Sequence, residues 1–457
     1  MIVKKMKYIF LLIFTLQNYN FCCKECCDNC CEDCWNNCWK NSTTDQNSSL
    51  QGGNSINNNS KKVKEIIDEN FDLKNIQPNN NDGSCWRKGL ENVGATCYMN
   101  ATLQCFAHIP EFVTFFRQKQ QVQNVINKKV GTDNLTGAFA ELLQNLYPTN
   151  LKNMKKEKKY APRKFKKTIS ELNPLFEGIA ANDAKDLVNF LIMTLHEELN
   201  NVPQNQVNGN NDNFLQDQRN KQFMFNSFTN EFKNENQSII SDLFYALNYN
   251  MTQCSNCKNI IYNYQIYFFL IFPLEEVRKF KLQCNNDVNN NIFNNFNNGL
   301  NNNFNNNFNN NEVNIYDCFE HEQKINYLTG ENATYCNYCK LTCGSCNRTI
   351  LATGPNILII ILNRGKGKEF DVKLNFVEDL NLNNYIEEKG AGTQYELFGV
   401  ITHIGESGMS GHFIAYCKDL WDKTWYKYND AIVSKVGNFK TEVVDYAMPY
   451  VLFYKLK

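Results

Sequence analysis

Gly89 to Pro110 reads GLENVGATCYMNATLQCFAHIP, and the organisation of the chain follows from it. Glycines at 89 and 94 mark a turn, after which Met99, Leu103, Phe106 and Ala107 recur at helical spacing until Pro110 stops the pattern. Cys97 therefore starts a helix. The free backbone N–H groups and the dipole at a helix N-terminus favour thiolate over thiol, so this placement predicts a nucleophilic cysteine. A cysteine at an arbitrary position is more often a small buried apolar residue. What separates the two readings is the set of partners downstream.

Tyr395 to Tyr416 reads YELFGVITHIGESGMSGHFIAY, and WYKYND follows from Trp425 to Asp430. A Cys, then a His, then an Asn or Asp is the papain order, in which the imidazole takes the thiol proton and the amide or carboxylate fixes its tautomer. Gly411, beside His412, lets backbone and substrate approach closely.

The stretch around Cys97 resembles the Cys box of the ubiquitin-specific proteases, and the stretch around His412 resembles their His box. Between them FEGIAANDAKDLVNFLIMTLHEELN, Phe176 to Asn200, is similar to the family segment around a Gln-Gln-Asp-Ala motif. The resemblance covers roughly Trp86 to the C-terminus, apart from one insertion. It implies an α+β, papain-like cysteine peptidase with a helical thumb, a β-rich palm and zinc-knuckle fingers. The implied activity is thiol-dependent hydrolysis of the isopeptide or peptide bond after the C-terminal glycine of ubiquitin, with ubiquitin and ubiquitinated proteins as partners. Carried over by position, Cys97 is the nucleophile, His412 the base and His403 a structural histidine. Asn429 matches the third triad position and Asp430 its frequent neighbour, either of which orients His412. Asn92 supplies an oxyanion-hole amide, and Asp183 contacts the tail of bound ubiquitin. The family's paired glutamines are replaced by Ala181 and Asn182. Two alternatives share these motifs: a peptidase for another ubiquitin-like modifier, and a non-catalytic ubiquitin-binding scaffold.

Within Phe176 to Asn200, Leu187, Phe190, Leu191, Thr194 and Leu195 form a helical stripe facing a core, with His196 on the helix surface. Asn356 to Leu362, NILIIIL, is a continuous apolar run and reads as a strand buried on both faces. The text Leu362-Asn363-Arg364-Gly365 stands where the family has Leu-Lys-Arg-Phe, which predicts weaker packing there. The basic run Lys152 to Lys167 reads as a solvated loop.

Charge is balanced, 47 basic against 47 acidic residues, so no general electrostatic grip on nucleic acid is expected. The 20 cysteines are not arranged as a disulfide framework. Four fall as Cys254-x-x-Cys257 and Cys336-x-x-Cys339, pairs that could present four thiolates tetrahedrally to a structural zinc. Between them, Asn-Asn-Phe repeats from about 285 to 311 form an insertion that should loop out. Cys343-x-x-Cys346 adds a third pair, so a local site of Cys336, Cys339, Cys343 and Cys346 competes with the long-range one; the matching contexts of the first two pairs favour the long-range site. The resemblance agrees, since many members of the family carry a zinc site in the fingers.

The chain divides into an anchor-like or signal-like apolar segment at 1–20, an extension at 21–84 that is first Cys-rich and then Asn/Ser-rich, and a catalytic domain at 85–457 with fingers at about 238–350. The apolar run from Tyr8 to Leu16 is too short to span a bilayer, which takes about 20 residues. It is the layout of a secretory signal, yet thiolate chemistry and free CxxC pairs require a reducing compartment. The expectation is a cytoplasmic catalytic domain with weak membrane association through the N-terminus. The alternative is a membrane-associated or secretory protein.

Overall fold

The computed structural model describes residues 87–117, 122, 134–147, 158–202, 219–295, 312–365, 371–407, 410–445 and 448–457. The apolar segment at 1–20, the extension at 21–84 with its cysteines from Cys22 to Cys38, and residues 296–311 of the insertion lie outside the described residues.

The first part is mainly helical: β1 (Gly89–Leu90), α1 (Cys97–Ala107), α2 (Pro110–Arg117), α3 (Leu135–Leu146), β2 (Lys159–Tyr160), α4 (Arg163–Leu172), α5 (Ala184–Leu199), α6 (Lys221–Glu235) and α7 (Ile239–Phe244). α1 is buried along its whole length. A helix enclosed on all sides has to find partners for its polar side chains internally, and most of them have one. Gln104 Nε2 donates to the Lys88 carbonyl at 2.9 Å, and Thr102 Oγ1 donates to the Tyr98 carbonyl at 2.9 Å. Pro110 ends the α1 pattern and becomes the first residue of α2, where the missing N–H costs no hydrogen bond. Phe106 meets Phe112, Phe244 and Phe453 at ring separations of 6.1, 5.8 and 5.8 Å, which ties α1 to α2, to α7 and to the sheet described below. In α5, Leu187, Leu191 and Leu195 are buried as the stripe predicts, while Phe190 and Thr194 lie only part-way in. The basic run is not wholly a loop. From Arg163 it is helix α4, with Phe165 and Ile169 turned into the core and Lys164 ion-paired to Glu141 at 2.8 Å in solvent.

The middle part is β-rich: β3 (Ala246–Cys254), β4 (Ile260–Tyr267), β5 (Leu270–Pro273), α8 (Leu274–Asn295), β6 (Glu312–Asn314), α9 (Ile315–Glu322), β7 (Asn326–Leu328), β8 (Thr334–Cys336), β9 (Leu341–Cys343) and β10 (Ser345–Leu351). An antiparallel sheet in the order β4-β3-β10-β7 carries a separate β8–β9 hairpin at its end. The insertion does not leave the fold at about 285. Backbone helix continues through Asn295, because α8 starts on buried Leu274 and Val277, and extending a helix already nucleated costs little per residue.

The last part is the palm: β11 (Ile357–Asn363), β12 (Lys373–Asn375), β13 (Asp379–Asn381), β14 (Gln394–Ser407), β15 (Ser410–Lys418), β16 (Trp425–Asn429), β17 (Ile432–Lys435) and β18 (Pro449–Leu456). The sheet runs β17-β16-β15-β14-β18-β11-β5, with β13 also on β14. β11 lies between β18 and β5 and is buried on both faces: Ile357, Ile359 and Ile361 enter the core under the helices, and Leu358, Ile360 and Leu362 enter a second core on the other side. Asn363 and Gly365, where the text departs from the family, are exposed, while Arg364 between them is packed in. Its side chain is buried and donates from Nε to the Pro449 carbonyl and from Nη1 to the Val372 carbonyl, each at 2.7 Å. Burial pulls its pKa down to about 10. Among the described residues no helix is long and apolar enough to cross a membrane.

Candidate active site

Cys97 is the first residue of α1, which packs against β14 and β15, the strands that carry His403 and His412. The backbone N–H of Phe413, the residue after His412, faces Cys97 and favours its thiolate. His412 Nε2 lies 2.6 Å from Asn429 Oδ1 across β15 and β16. An amide oxygen only accepts, so Nε2 carries the proton and Nδ1 keeps its lone pair for use as a base. The structure thus pairs His412 with Asn429 and packs the helix begun by Cys97 against the His412 strand.

The helix N-terminus does not set the protonation of Cys97 by itself. Burial pushes the thiol above its ordinary value and the Asp430 carboxylate adds to this; N–H groups of Phe413, Tyr98 and Cys97 itself act in the opposite direction and are outweighed. Burial is the largest influence on this thiol. The thiolate expected from helix position alone has to be made by a base.

Asp430 serves the nucleophile's loop rather than the imidazole. It holds a left-handed backbone, φ +49°, and accepts from Asn92 Nδ2 at 3.1 Å and from Asn100 Nδ2 at 2.8 Å. Asn92 Oδ1 in turn accepts from the N–H groups of Gly94 and Thr96 at 3.2 and 3.0 Å. The Asn92 amide is thereby fixed beside the start of α1, with one side-chain N–H committed to Asp430. The loop is seated by its own backbone: Leu90 N–H donates to the Asp430 carbonyl at 2.9 Å, and a Cβ on Gly89 would lie 2.4 Å from the Ala431 carbonyl. Only glycine permits that approach. Asn100 was not identified from sequence. The available signal was a polar residue one turn after Cys97 on a buried helix.

His403 is buried, its ring edge-on to Phe413 at 4.8 Å, and burial lowers its pKa. The space that Gly411 leaves is taken by this ring and the Ile404 carbonyl, at 2.3 and 2.6 Å from a built Cβ, so the glycine accommodates His403 and not substrate. Asp183 caps α5 through the Lys185 N–H at 2.9 Å and accepts from Tyr450 Oη at 2.6 Å, which places it on the His403 side of the centre. Asn182 donates to Tyr98 Oη at 3.4 Å. His196 is not a plain surface residue. It bonds Ser238 Oγ at 2.7 Å, and burial takes its pKa down to about 4.

The ligand sulfurs of Cys254, Cys257, Cys336 and Cys339 lie within 4.8 Å of one another, the long-range group. Both knuckles have the same build. Each has its first cysteine ending a strand, a Lys at φ +59° after its second, and that Lys N–H donating to the first cysteine's carbonyl, Lys258 at 3.0 Å and Lys340 at 2.9 Å. With metal–sulfur bonds of about 2.3 Å, a tetrahedron has edges of about 3.8 Å. Cys254 to Cys339 at 3.9 Å and Cys257 to Cys336 at 3.6 Å fit such edges. N–H groups of Asn259 hold the Cys257 thiol down to about 6, the form a metal needs. The group could hold a metal ion.

A family model described as "Ubiquitin carboxyl-terminal hydrolase" matches residues 88–454. The chain is 24% identical over 405 residues to ubiquitin carboxyl-terminal hydrolase Usp2 of Drosophila melanogaster, covering 87% of this chain and 37% of that protein. It is 24% identical over 376 residues to ubiquitin carboxyl-terminal hydrolase 2 of Homo sapiens, covering 80% and 55% respectively. The chain therefore spans roughly a third to a half of the length of these curated relatives. Among solved structures it is similar in fold to a SAGA DUB module of Ubp8, Sgf11, Sus1 and Sgf73 bound to monoubiquitin, with a TM-score of 0.57 at 19% identity, covering 87% of this chain and 74% of the other.

Proposed function

The chain belongs to the ubiquitin carboxyl-terminal hydrolase family, and from that premise we propose that residues 85–457 form a cysteine-type deubiquitinase acting on the bond after the C-terminal glycine of ubiquitin. The observation that carries the reading is the His412 Nε2 to Asn429 Oδ1 bond of 2.6 Å on strands packed against the helix that Cys97 begins. His412 takes the Cys97 proton through Nδ1, and the sulfur attacks the glycine carbonyl. The oxyanion is met by the Asn92 amide and by N–H groups at the start of α1. His412 then returns the proton to the leaving lysine amine, and water cleaves the thioester.

In this scheme Asn429 orients His412, Asp430 holds Asn92 in place, and Asp183 lines the approach of the ubiquitin tail. The donor set and its spacing suit zinc, held by Cys254, Cys257, Cys336 and Cys339. Its contribution would be structural, tying the β8–β9 hairpin to β3. The requirement for reduced thiols assigns the domain to the cytosolic side.

Turnover of a ubiquitin C-terminal amide tests the assignment. Cys97→Ala should abolish it while ubiquitin binding persists. Asn92→Ala should lower kcat by roughly 10²–10³, the cost of one oxyanion donor. Residual turnover near wild type in Cys97→Ala would refute the scheme.

A further inference from the structure

The metal group has a fifth sulfur beside it. Cys343 ends β9, and its Sγ lies 3.2 Å from Cys254 Sγ, nearer than the 3.9 Å between Cys254 and Cys339. The approach is built into the backbone. The carbonyl of Gly344, next in sequence, accepts from the Ser255 N–H at 2.9 Å, inside the first knuckle, and Ser345 pairs with Cys254 across β3 and β10.

At 3.2 Å the two sulfurs are too close for both to occupy vertices of a tetrahedron with edges of about 3.8 Å. They would subtend roughly a right angle at the metal. Cys343 is therefore placed next to one vertex, that of Cys254, without completing the site itself.

We propose that this is a five-thiol site in which Cys343 is a reserve ligand for the position held by Cys254; the inference rests on the metal reading given above. The exchange is balanced without any added reagent. The Cys343 thiol proton passes to the departing Cys254 sulfur as a metal–Cys343 bond replaces a metal–Cys254 bond, leaving four thiolates on the metal throughout. A reserve ligand recaptures metal that has lost one bond, so it slows release.

Zinc per chain, measured on the reduced full-length protein, tests this, with Co²⁺ absorption reporting the number of thiolates. Wild type and Cys343→Ala should each hold one metal. Cys254→Ala should also hold one, still with four thiolates, and Cys254→Ala/Cys343→Ala should hold none. A folded Cys254→Ala chain without metal would overturn the inference and leave the four-cysteine site standing. Loss of metal in Cys346→Ala would overturn it in favour of the local group of Cys336, Cys339, Cys343 and Cys346. Wild type without metal would overturn the metal reading and the inference with it. Should Cys254→Ala not fold, zinc transfer to a chelator from otherwise intact protein decides: several-fold faster release from Cys343→Ala supports the reserve ligand, and equal rates contradict it.

Discussion

At Cys97 two local effects compete, helix position and burial. Helix position stabilises the thiolate by about 0.3–1 kcal/mol. Burial and the Asp430 carboxylate act the other way, and the thiol sits above its ordinary value. The thiol pKa is raised, so the protonated form persists to higher pH than in an ordinary cysteine unless His412 accepts the proton. Alkylation of Cys97 by iodoacetamide should therefore occur near neutral pH in the wild type. In His412→Ala its midpoint should move up by a unit or more, above the ordinary thiol value of about 8.5. An unchanged midpoint would mean that His412 is not the base. Cys97, His412 and Asn429 were legible in the sequence because their order and types encode their chemistry. Their protonation was not, because desolvation depends on what packs over the sulfur. The division of labour between Asn429 and Asp430 was equally hidden, since it turns on a left-handed φ at Asp430 that points its carboxylate back to Asn92 and Asn100.

Among elements, α1 and β11 were readable because their burial is extreme: one is a helix without a solvated face, the other a strand that feeds two cores. α4 and the far end of α8 were missed where composition, basic in one and Asn-rich in the other, spoke for solvent. Long side chains can keep their heads in water while Phe165 and Ile169 anchor the helix beneath. The contact between β1 and the Asp430–Ala431 turn links the loop of Asn92 to the strand of Asn429 and lies on no sequence pattern. It makes Gly89 a sensitive position. Gly89→Ala should force the two segments apart, lowering kcat by roughly tenfold or more with a smaller change in KM, since the displaced groups act on the reacting atoms and not on the bulk of the substrate. Steady-state kinetics would show this, and a wild-type kcat would remove the coupling claimed here.

For the whole molecule, the family and the two-ended layout of its motifs were available from the chain alone, and so was the long-range cysteine group, through the matching contexts of its two pairs. The extension before residue 85 offers only composition, and its apolar start points to a compartment that the thiol chemistry opposes. Asn332, exposed at the end of a short 3-10 turn, begins the acceptor motif Asn332-Ala333-Thr334 and reports on that conflict. A cytosolic domain predicts no glycan at Asn332 in protein isolated from its own cells; glycan there would place the domain in the secretory lumen.

The central claim is that Cys97 attacks the C-terminal carbonyl of ubiquitin. It is tested most directly by incubating the full-length reduced protein with ubiquitin carrying a C-terminal thiol-reactive warhead and locating the adduct by mass spectrometry. One ubiquitin per chain, linked to Cys97 and absent from Cys97→Ala, is the predicted result. No adduct with folded wild type, or an adduct that persists in Cys97→Ala, would contradict it.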